Sequence, residues 1–537
     1  MFLAQVRDTM LSTSHCPLLR GPRFSRGVPL RPGQHARGPR SAWRWLGVAF
    51  CAGALSACAM GPDFQSPAPQ TAQDYRVDAP LAPTASSDGP AGGAQIFAPG
   101  EPIAADWYTL FQSPALNALI DQALANNPSL AASQASLRQA AFQLKSVRGS
   151  ALPDVDLNGG VTRQRSNGAA IGLDNPQFNN VFNLYSARVA LSYDLDPFGV
   201  TLRETEAQQA RVEYQRNLLR GSILTLVDNV VVTTVRYAAL RDQLAATQRI
   251  IDAEQDQLDL LGKQESAGSV AYSDVLRARG QLADSQAQVP ALRHDLARTE
   301  HALARLVGSD PGRFQAPALS LSDLRLPERL PLSLSSELVR QRPDILAAEQ
   351  QLHAANAQVG VATANLYPRI NLSADLGSQA NHSGDLFSSP TKVWSLGGSL
   401  LAPVFHGGSL RAERDGAKAA WQAQYARYQD TVLSAFTQVA DVLDAIEQDA
   451  AALSAQNRAL DANRDGLTLV RKQYRAGGAA YLDVLIAEQR YNQAVTARIG
   501  AVSQRFVDTA TLYHALGGGW WNAPAPSQPV AGTGGES

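Results

Sequence analysis

The residue types that usually carry enzymatic or metal chemistry are present in this sequence, but none stands in a catalytic pattern. The eight histidines are scattered, and His294 and His301 lie on one predicted helix with no Cys, Asp or second His at metal-ligand spacing. The sequence contains no Gly-x-Ser-x-Gly, His-Glu-x-x-His or Walker phosphate loop. The net charge of −1 gives no sign of nucleic-acid binding. We therefore predict a protein that is not an enzyme and uses no cofactor or metal.

Cys58 is the residue whose surroundings predict a covalent modification. A long basic segment and a short apolar run, residues 45–57, end in Leu55-Ser56-Ala57-Cys58. The run is too short to span a bilayer as a helix, and this order is typical of a secretory signal. Its end resembles the bacterial lipoprotein box, which implies cleavage before Cys58 and lipidation of its thiol and new amino group. A buried core cysteine is the alternative. The mature chain then continues with Ala59 rather than an inner-membrane retention Asp, which indicates the outer membrane.

Two matching segments, residues 260–276 and 469–485, form an internal repeat. They read LLGKQESAGSVAYSDVL and LVRKQYRAGGAAYLDVL. Gly268 and Gly477 suit a helix end that needs positive φ, and the small and polar residues after each glycine favour a new helix. Each copy is therefore predicted to be the tip of a helical hairpin.

The rest of the chain supplies the elements that position these tips, in the same order twice. The first repeat, residues 106–320, is predicted to hold a helical part broken at Asn127-Pro128, a β-hairpin over 154–195 and long helices over 201–261 and 272–307. The second repeat, residues 321–521, is predicted to hold a β-hairpin over 369–405 and long helices over 410–474 and 481–516. Around them we predict a signal sequence over 1–57, a lipidated extended arm over 58–105 and a disordered tail over 522–537.

Four alternating strands are too few for a membrane barrel, whose smallest members need about eight. An open sheet edge is not tolerated in lipid. The strands must therefore close with those of other copies, and three copies would supply about twelve strands, although edge satisfaction alone does not fix the number.

The ordered motifs resemble the TolC/OprM class of outer membrane factors, in its lipoprotein branch. The resemblance rests on the lipoprotein box with Gly61-Pro62-Asp63-Phe64, Asp106-Trp107-Tyr108-Thr109-Leu110-Phe111, Leu116-Asn117-Ala118-Leu119-Ile120, Arg342-Pro343-Asp344-Ile345, Tyr367-Pro368, Phe405-His406-Gly407-Gly408 and Ala515-Leu516-Gly517-Gly518-Gly519-Trp520. It implies a mainly α fold with a small β part: a homotrimeric α/β-barrel, with four transmembrane strands from each protomer and coiled-coil-like periplasmic helices.

The resemblance also implies the function. It implies a lipid-anchored passive exit duct in the outer membrane for a tripartite efflux pump of the resistance-nodulation-division type. The partners would be an inner membrane pump and a periplasmic adaptor, which would contact the hairpin tips at Ala267, Gly268, Ala476 and Gly477. The exit duct of a type I protein secretion system and a non-transporting coiled-coil scaffold of the envelope stay open as alternatives.

Asp274 and Asp483 follow the two tips, where the helix dipole already favours an acidic residue. The resemblance adds a second interpretation, a periplasmic gate in which Asp483 rings the closed mouth. Tyr474 would then tie the inner hairpin to the outer one through a hydrogen bond with the carboxylate of Asp274. Ile486 and Ala479 replace a second ring Asp and a bridging Arg of some relatives, so the lock would be weaker unless Arg475 substitutes.

Overall fold

The computed structural model describes residues 59–68, 82–165, 181–333 and 335–522. Cys58, the signal sequence and the tail beyond 522 lie outside the described residues. The helices are α1 (Pro114–Asn126), α2 (Pro128–Gly149), α3 (Val200–Ser266), α4 (Tyr272–Leu306), α5 (Ser335–Gln341), α6 (Pro343–Ala364), α7 (Ser409–Arg475) and α8 (Tyr481–Ala515). The strands are β1 (Ile96–Pro99), β2 (Asp154–Arg165), β3 (Val181–Leu195), β4 (Arg329–Leu332), β5 (Arg369–Ala380) and β6 (Lys392–Leu401).

The two predicted repeats have matching long helices. The outgoing helices α3 and α7 contain 67 residues each, and the return helices α4 and α8 contain 35 each. At 1.5 Å per residue, α3 and α7 each extend about 100 Å. Helices of this length are stabilised by packing along their sides, which the hairpin arrangement provides.

Some predicted boundaries were wrong. Helix α3 continues five residues past the predicted end at 261, because Gly262 inside a helix costs only about 1 kcal/mol and the chain turns later, at Gly268. The other long helices differ from the predicted bounds by one residue at an end. Strand β6 ends at Leu401 rather than at 405, because its last paired residue faces Arg369, the first residue of β5.

The four predicted strands form one antiparallel sheet in the order β2-β3-β5-β6. Each predicted hairpin is present, and β3 joins them by pairing with β5. The sheet therefore ends in two edge strands, β2 and β6, and every residue of both is exposed in the single protomer. The unpaired backbone N–H and C=O groups of these edges must form hydrogen bonds with neighbouring strands before the sheet can insert into a lipid bilayer.

The extended arm predicted over 58–105 is not simply a linker. Strand β1 within it pairs in parallel with β4, at the start of the second repeat. Gln95, just before β1, is 1% exposed and binds Thr509 of α8 through its side chain at 3.0 Å. Arg505 of the same helix is 1% exposed and donates to the carbonyl of Gly93 at 3.2 Å. The arm is thus held against α8 by buried polar contacts.

The main hydrophobic core lies where the short helices pack around the middle of the long ones. Trp107, just before α1, stacks on Tyr513 of α8 with ring centroids 5.1 Å apart. Phe111 and Phe506 also meet in this core and are fully buried. One 18-residue segment of α3 has the length and apolar composition of a membrane-spanning helix. Only 33% of this segment is buried in the protomer.

Candidate gate and lipid-anchor sites

Both predicted tips end their helices with the same backbone geometry. Gly268 and Gly477 have φ angles of +72° and +76°, and no atom lies within 4 Å of where a Cβ would stand on either residue. The N–H of Gly268 donates to the carbonyl of Glu265, and the N–H of Ser269 donates to that of Gln264. This paired arrangement is a Schellman motif. The backbone conformation, and not a shortage of space, therefore requires glycine here.

The four tip residues expected to meet an adaptor are exposed. Ala267 and Ala476 end their helices with φ of −85° and −88°, and the two glycines follow them. All four lie at the outer surface of the turns.

Asp483 caps its own helix. Its carboxylate Oδ2 accepts a hydrogen bond of 2.9 Å from the backbone N–H of Ala480, and its own N–H donates to the Ala480 carbonyl. The side chain is exposed and lines a shallow groove that also contains Ile486 and Arg490. This contact supports the helix-start role of Asp483 and leaves the residue on an accessible surface.

Asp274, the equivalent residue in the first repeat, has a different partner. Its carboxylate binds Arg277 on the next turn of α4 at 2.7 Å. The two matching aspartates therefore stand in different electrostatic surroundings, and only Asp274 is paired with a cation one turn away.

Tyr474 lies near Asp274 but does not bind it. Its hydroxyl is buried and has no hydrogen-bond partner, so the expected hydrogen bond between these two residues is not formed in this structure. Burial, and then the nearby charge of Asp274, raise the pKa of Tyr474. Its ring packs against Tyr481 with centroids 5.7 Å apart. The guanidinium of Arg475, the suggested substitute for a bridging Arg, donates to the carbonyl of Arg471 in its own helix.

The two tips instead meet through a small apolar core, which the sequence analysis missed. It combines side chains of both hairpins: Leu261, Val275, Ala278, Tyr481 and Val484, with Tyr474 and Leu485 packed against them. Apolar residues at helical spacing near each tip were the available signal, but their meeting across hairpins depends on tertiary structure. Hydrophobic packing therefore joins the hairpins at this end of the protomer.

The first described residues, Ala59 to Phe64, dock onto the start of α3. Arg203, whose side chain is 5% exposed, binds the carboxylate of Asp63 at 2.8 Å. Its Nε donates to the carbonyl of Met60, and another nitrogen contacts Glu206 at 2.6 Å. The N–H of Met60 donates to the carbonyl of Phe198, between β3 and α3. The residues after Cys58 are thus fixed beside the end of the sheet.

The Gly61-Pro62-Asp63-Phe64 motif fits a preformed surface on α6. A Cβ on Gly61 would lie 2.5 Å from the Cα of Gly360, so only glycine allows this approach. Asn356 donates to the carbonyl of Pro62 at 2.9 Å, and Phe64 stacks on His353 with centroids 4.2 Å apart. Gly61, Pro62 and Phe64 of the motif therefore each contact α6.

An open four-stranded sheet, joined to helical hairpins about 100 Å long, defines the class of outer membrane channel-tunnel subunits. The profile of the outer membrane efflux protein family matches residues 119–309 and 334–518. The chain belongs to this family.

Named relatives agree with this assignment. The chain is 32% identical over 420 residues to the pyoverdine export outer membrane protein OpmQ of Pseudomonas aeruginosa, covering 77% of this chain and 87% of that one. It is 29% identical over 477 residues to the probable efflux pump outer membrane protein TtgC of Pseudomonas putida, covering 89% and 96%.

Solved structures have the same fold. The outer-membrane channel OprN matches with a TM-score of 0.76 and 28% identity, over 86% of this chain and 100% of that one. The MtrE outer membrane channel of Neisseria gonorrhoeae, described in its open state, matches with a TM-score of 0.73 and 29% identity, over 86% and 98%. The predicted mainly helical fold of a trimeric outer membrane channel with a periplasmic tunnel is confirmed.

Proposed function

We propose that this chain forms a homotrimeric, passive exit duct of a tripartite efflux pump of the resistance-nodulation-division type. The observation that carries the proposal is the four-stranded sheet with two open edges, β2 and β6. A wide barrel made from several copies satisfies both edges and leaves a path through the membrane. The hairpins continue that path into the periplasm.

The partners follow from the two ends of this duct. We infer that the exposed turns at Ala267–Gly268 and Ala476–Gly477 contact a periplasmic adaptor, which joins the duct to the inner membrane pump. The duct itself moves nothing against a gradient. Among the described residues, no group of three or more His, Cys, Asp or Glu side chains is placed to hold a metal ion.

The gate proposal places Asp483 of each protomer near the axis of the closed mouth. Three carboxylates held close would attract cations and repel one another. The exposure of Asp483 supports this role, although its bond to Ala480 explains the residue equally well. We propose that Tyr474 holds the inner hairpin through its packing against the tip core, beside Asp274, rather than by a hydrogen bond.

Lipidation of Cys58 is proposed from the signal sequence, and the docked segment that follows it adds support. Met60 binds the carbonyl of Phe198 where the sheet gives way to α3. An acyl group on a residue only two positions earlier would therefore lie at the periplasmic surface of the outer membrane. Each buried methylene of the acyl chains would add about 0.8 kcal/mol of membrane affinity.

The experiment is complementation of a deletion strain. Cells with the intact gene should accumulate less of a fluorescent efflux substrate than cells without it, and should show higher drug resistance. The secretion alternative predicts instead that the deletion abolishes export of a protein and leaves dye accumulation unchanged. A scaffold would alter neither measurement.

A further inference from the structure

A cleft between the two helical hairpins contains two buried glutamates that the proposed gate does not use. Glu254 lies on α3 and Glu488 on α8, with 8% and 5% of their surfaces exposed. Both line a cleft of about 280 Å³. Glu254 precedes the last residue of α3, Ser266, by twelve positions, or about 18 Å of helix. The pair therefore lies behind the tip core, on the contact between the hairpins.

The two glutamates differ in their partners. Glu488 accepts from Arg471, on the same hairpin, at 2.8 Å. Glu254 accepts one hydrogen bond from Gln281 through Oε1, while its Oε2 is buried with no hydrogen-bond partner. The ion pairs among the described residues include none to Glu254. Arg471 thus neutralises the charge of Glu488, and the carboxylate of Glu254 is left without a cation partner.

The charges around Glu254 come from every helix that packs near it. Burial raises its pKa, the nearby polar side chains of Ser285 and Gln281 oppose that rise, and the charges of Glu488 and Asp284 add to it, so that the pKa is raised overall. The charged groups are Asp284 of α4, Glu488 of α8, Arg471 of α7, and Arg249 of α3 itself. A buried carboxylate without a cation partner is costly when ionised, so a proton on Glu254 favours the packed arrangement.

We propose that Glu254 and Glu488 form a proton-operated contact between the two hairpins. With Glu254 protonated, the hairpins stay packed along the cleft. Loss of that proton leaves a buried carboxylate with no cation partner beside the ion pair of Glu488 and Arg471, and favours separation of the hairpins. Because packing raises the proton affinity of Glu254, the packed state is favoured at low pH and loses that advantage as the pH rises through the raised pKa.

The consequence for transport rests on the proposed gate, because separated hairpins open the mouth only if the tips close it. A duct with this contact would resist opening below the raised pKa of Glu254 and would open more readily above it. The contact itself is independent of cargo and adaptor, so it can be tested apart from transport.

The test uses spin labels on the full-length purified trimer, at Ser266→Cys on α3 and Leu482→Cys on α8. Both positions are exposed. The distance between the labels is measured by pulsed electron resonance from pH 5 to pH 8. We expect the ratio of separated to packed hairpins to rise with pH. The rise should be up to about tenfold for each unit by which packing raises the pKa of Glu254. Glu254→Gln should keep the hairpins packed at every pH.

Asp256→Asn is the matched control, because it removes an exposed carboxyl two residues away on the same helix. It should retain the wild-type pH dependence. A wild-type protein with no pH dependence, or an E254Q variant that keeps the full dependence, would overturn the proposal. Single-channel conductance is then recorded over the same pH range. If the distances change and the conductance does not, the gate is wrong and the proton-operated contact stands.

Discussion

The guanidinium of Arg342 donates a hydrogen bond of 2.8 Å to the carbonyl oxygen of Ala515, the last residue of α8. In the first repeat, Asn127 donates at the same distance to the carbonyl of Leu306, the last residue of α4. Each donor directly precedes a helix that begins with proline. Two different side chains thus satisfy the carbonyl at the end of the return helix, where no intrahelical donor is available.

Asn127→Ala tests the contact between Asn127 and the end of α4. Asn127 also accepts from the N–H groups of Ser129 and Leu130, so the variant loses a helix cap and the bond to Leu306. We expect a loss of about 1–2 kcal/mol in the free energy of unfolding, measured by circular dichroism in denaturant. Ser129→Ala is the control and should change the free energy by less than about 0.5 kcal/mol. Equal stability of the two variants would contradict the assigned role of Asn127.

Cys58→Ser tests lipidation. The variant should accumulate in an unprocessed or unlipidated form and incorporate no labelled palmitate. Drug resistance can survive, because the barrel holds the protein in the membrane independently of the acyl chains. Normal palmitate labelling of the variant would show that another residue carries the lipid.

Gly477→Val tests the inner tip. A β-branched side chain at a φ of +76° is strained by about 1 kcal/mol or more and should distort the turn. We expect lower drug resistance in the complemented deletion strain with a normal yield of trimer. Gly478→Ala is the control, because Gly478 lacks a positive φ and a Cβ there would stand 3.7 Å from its nearest neighbour. Unchanged resistance in the Val variant would rule out a role for this turn in pump assembly.

A second acidic pair predicts a pH dependence of stability. Burial and the neighbouring carboxyl of Asp508 raise the pKa of Asp449, on α7, to about 7. A carboxyl with a raised pKa stabilises the fold when protonated, so its contribution is complete below about pH 4 and should be lost as the pH rises from about 4 to about 7. Asp449→Asn should flatten this decline in the unfolding midpoint. The exposed Asp441→Asn, on the same helix, should leave the slope as it is in the wild type.

Asp483→Ala tests the gate assignment. If Asp483 of three protomers rings the mouth, the variant should lose cation selectivity and block by multivalent cations in bilayer recordings. Asp465→Ala removes an exposed carboxyl from the same hairpin and serves as the control. Unchanged selectivity and block in the Asp483 variant would leave this residue with its helix-capping role alone.

The sequence predicted those elements whose signals are local. Alternation of apolar residues predicted both hairpins, whose predicted limits at 154, 195 and 369 are the observed ones, and Gly268 and Gly477 predicted the two turns. Strands β1 and β4 escaped prediction because each has four residues and gains its partner more than 200 residues away. Side-chain contacts between residues that are distant in the sequence escaped prediction for the same reason.

The expected bond between Tyr474 and Asp274 depends on how two hairpins pack, and the hydroxyl has no partner there. The sequence did not predict the burial of Glu254 and Glu488 either, because charged residues on a long helix normally face water. Local patterns therefore specified the helices and turns, while the contacts between hairpins required the tertiary structure.

A passive duct through the outer membrane should conduct ions. The most direct test is recording of currents from purified trimers in planar lipid bilayers. We expect discrete single-channel steps of uniform conductance, with a preference for cations. A folded, membrane-inserted trimer that conducts no ions under any applied voltage or pH, even with Tyr474→Ala to loosen the tip core, would contradict it.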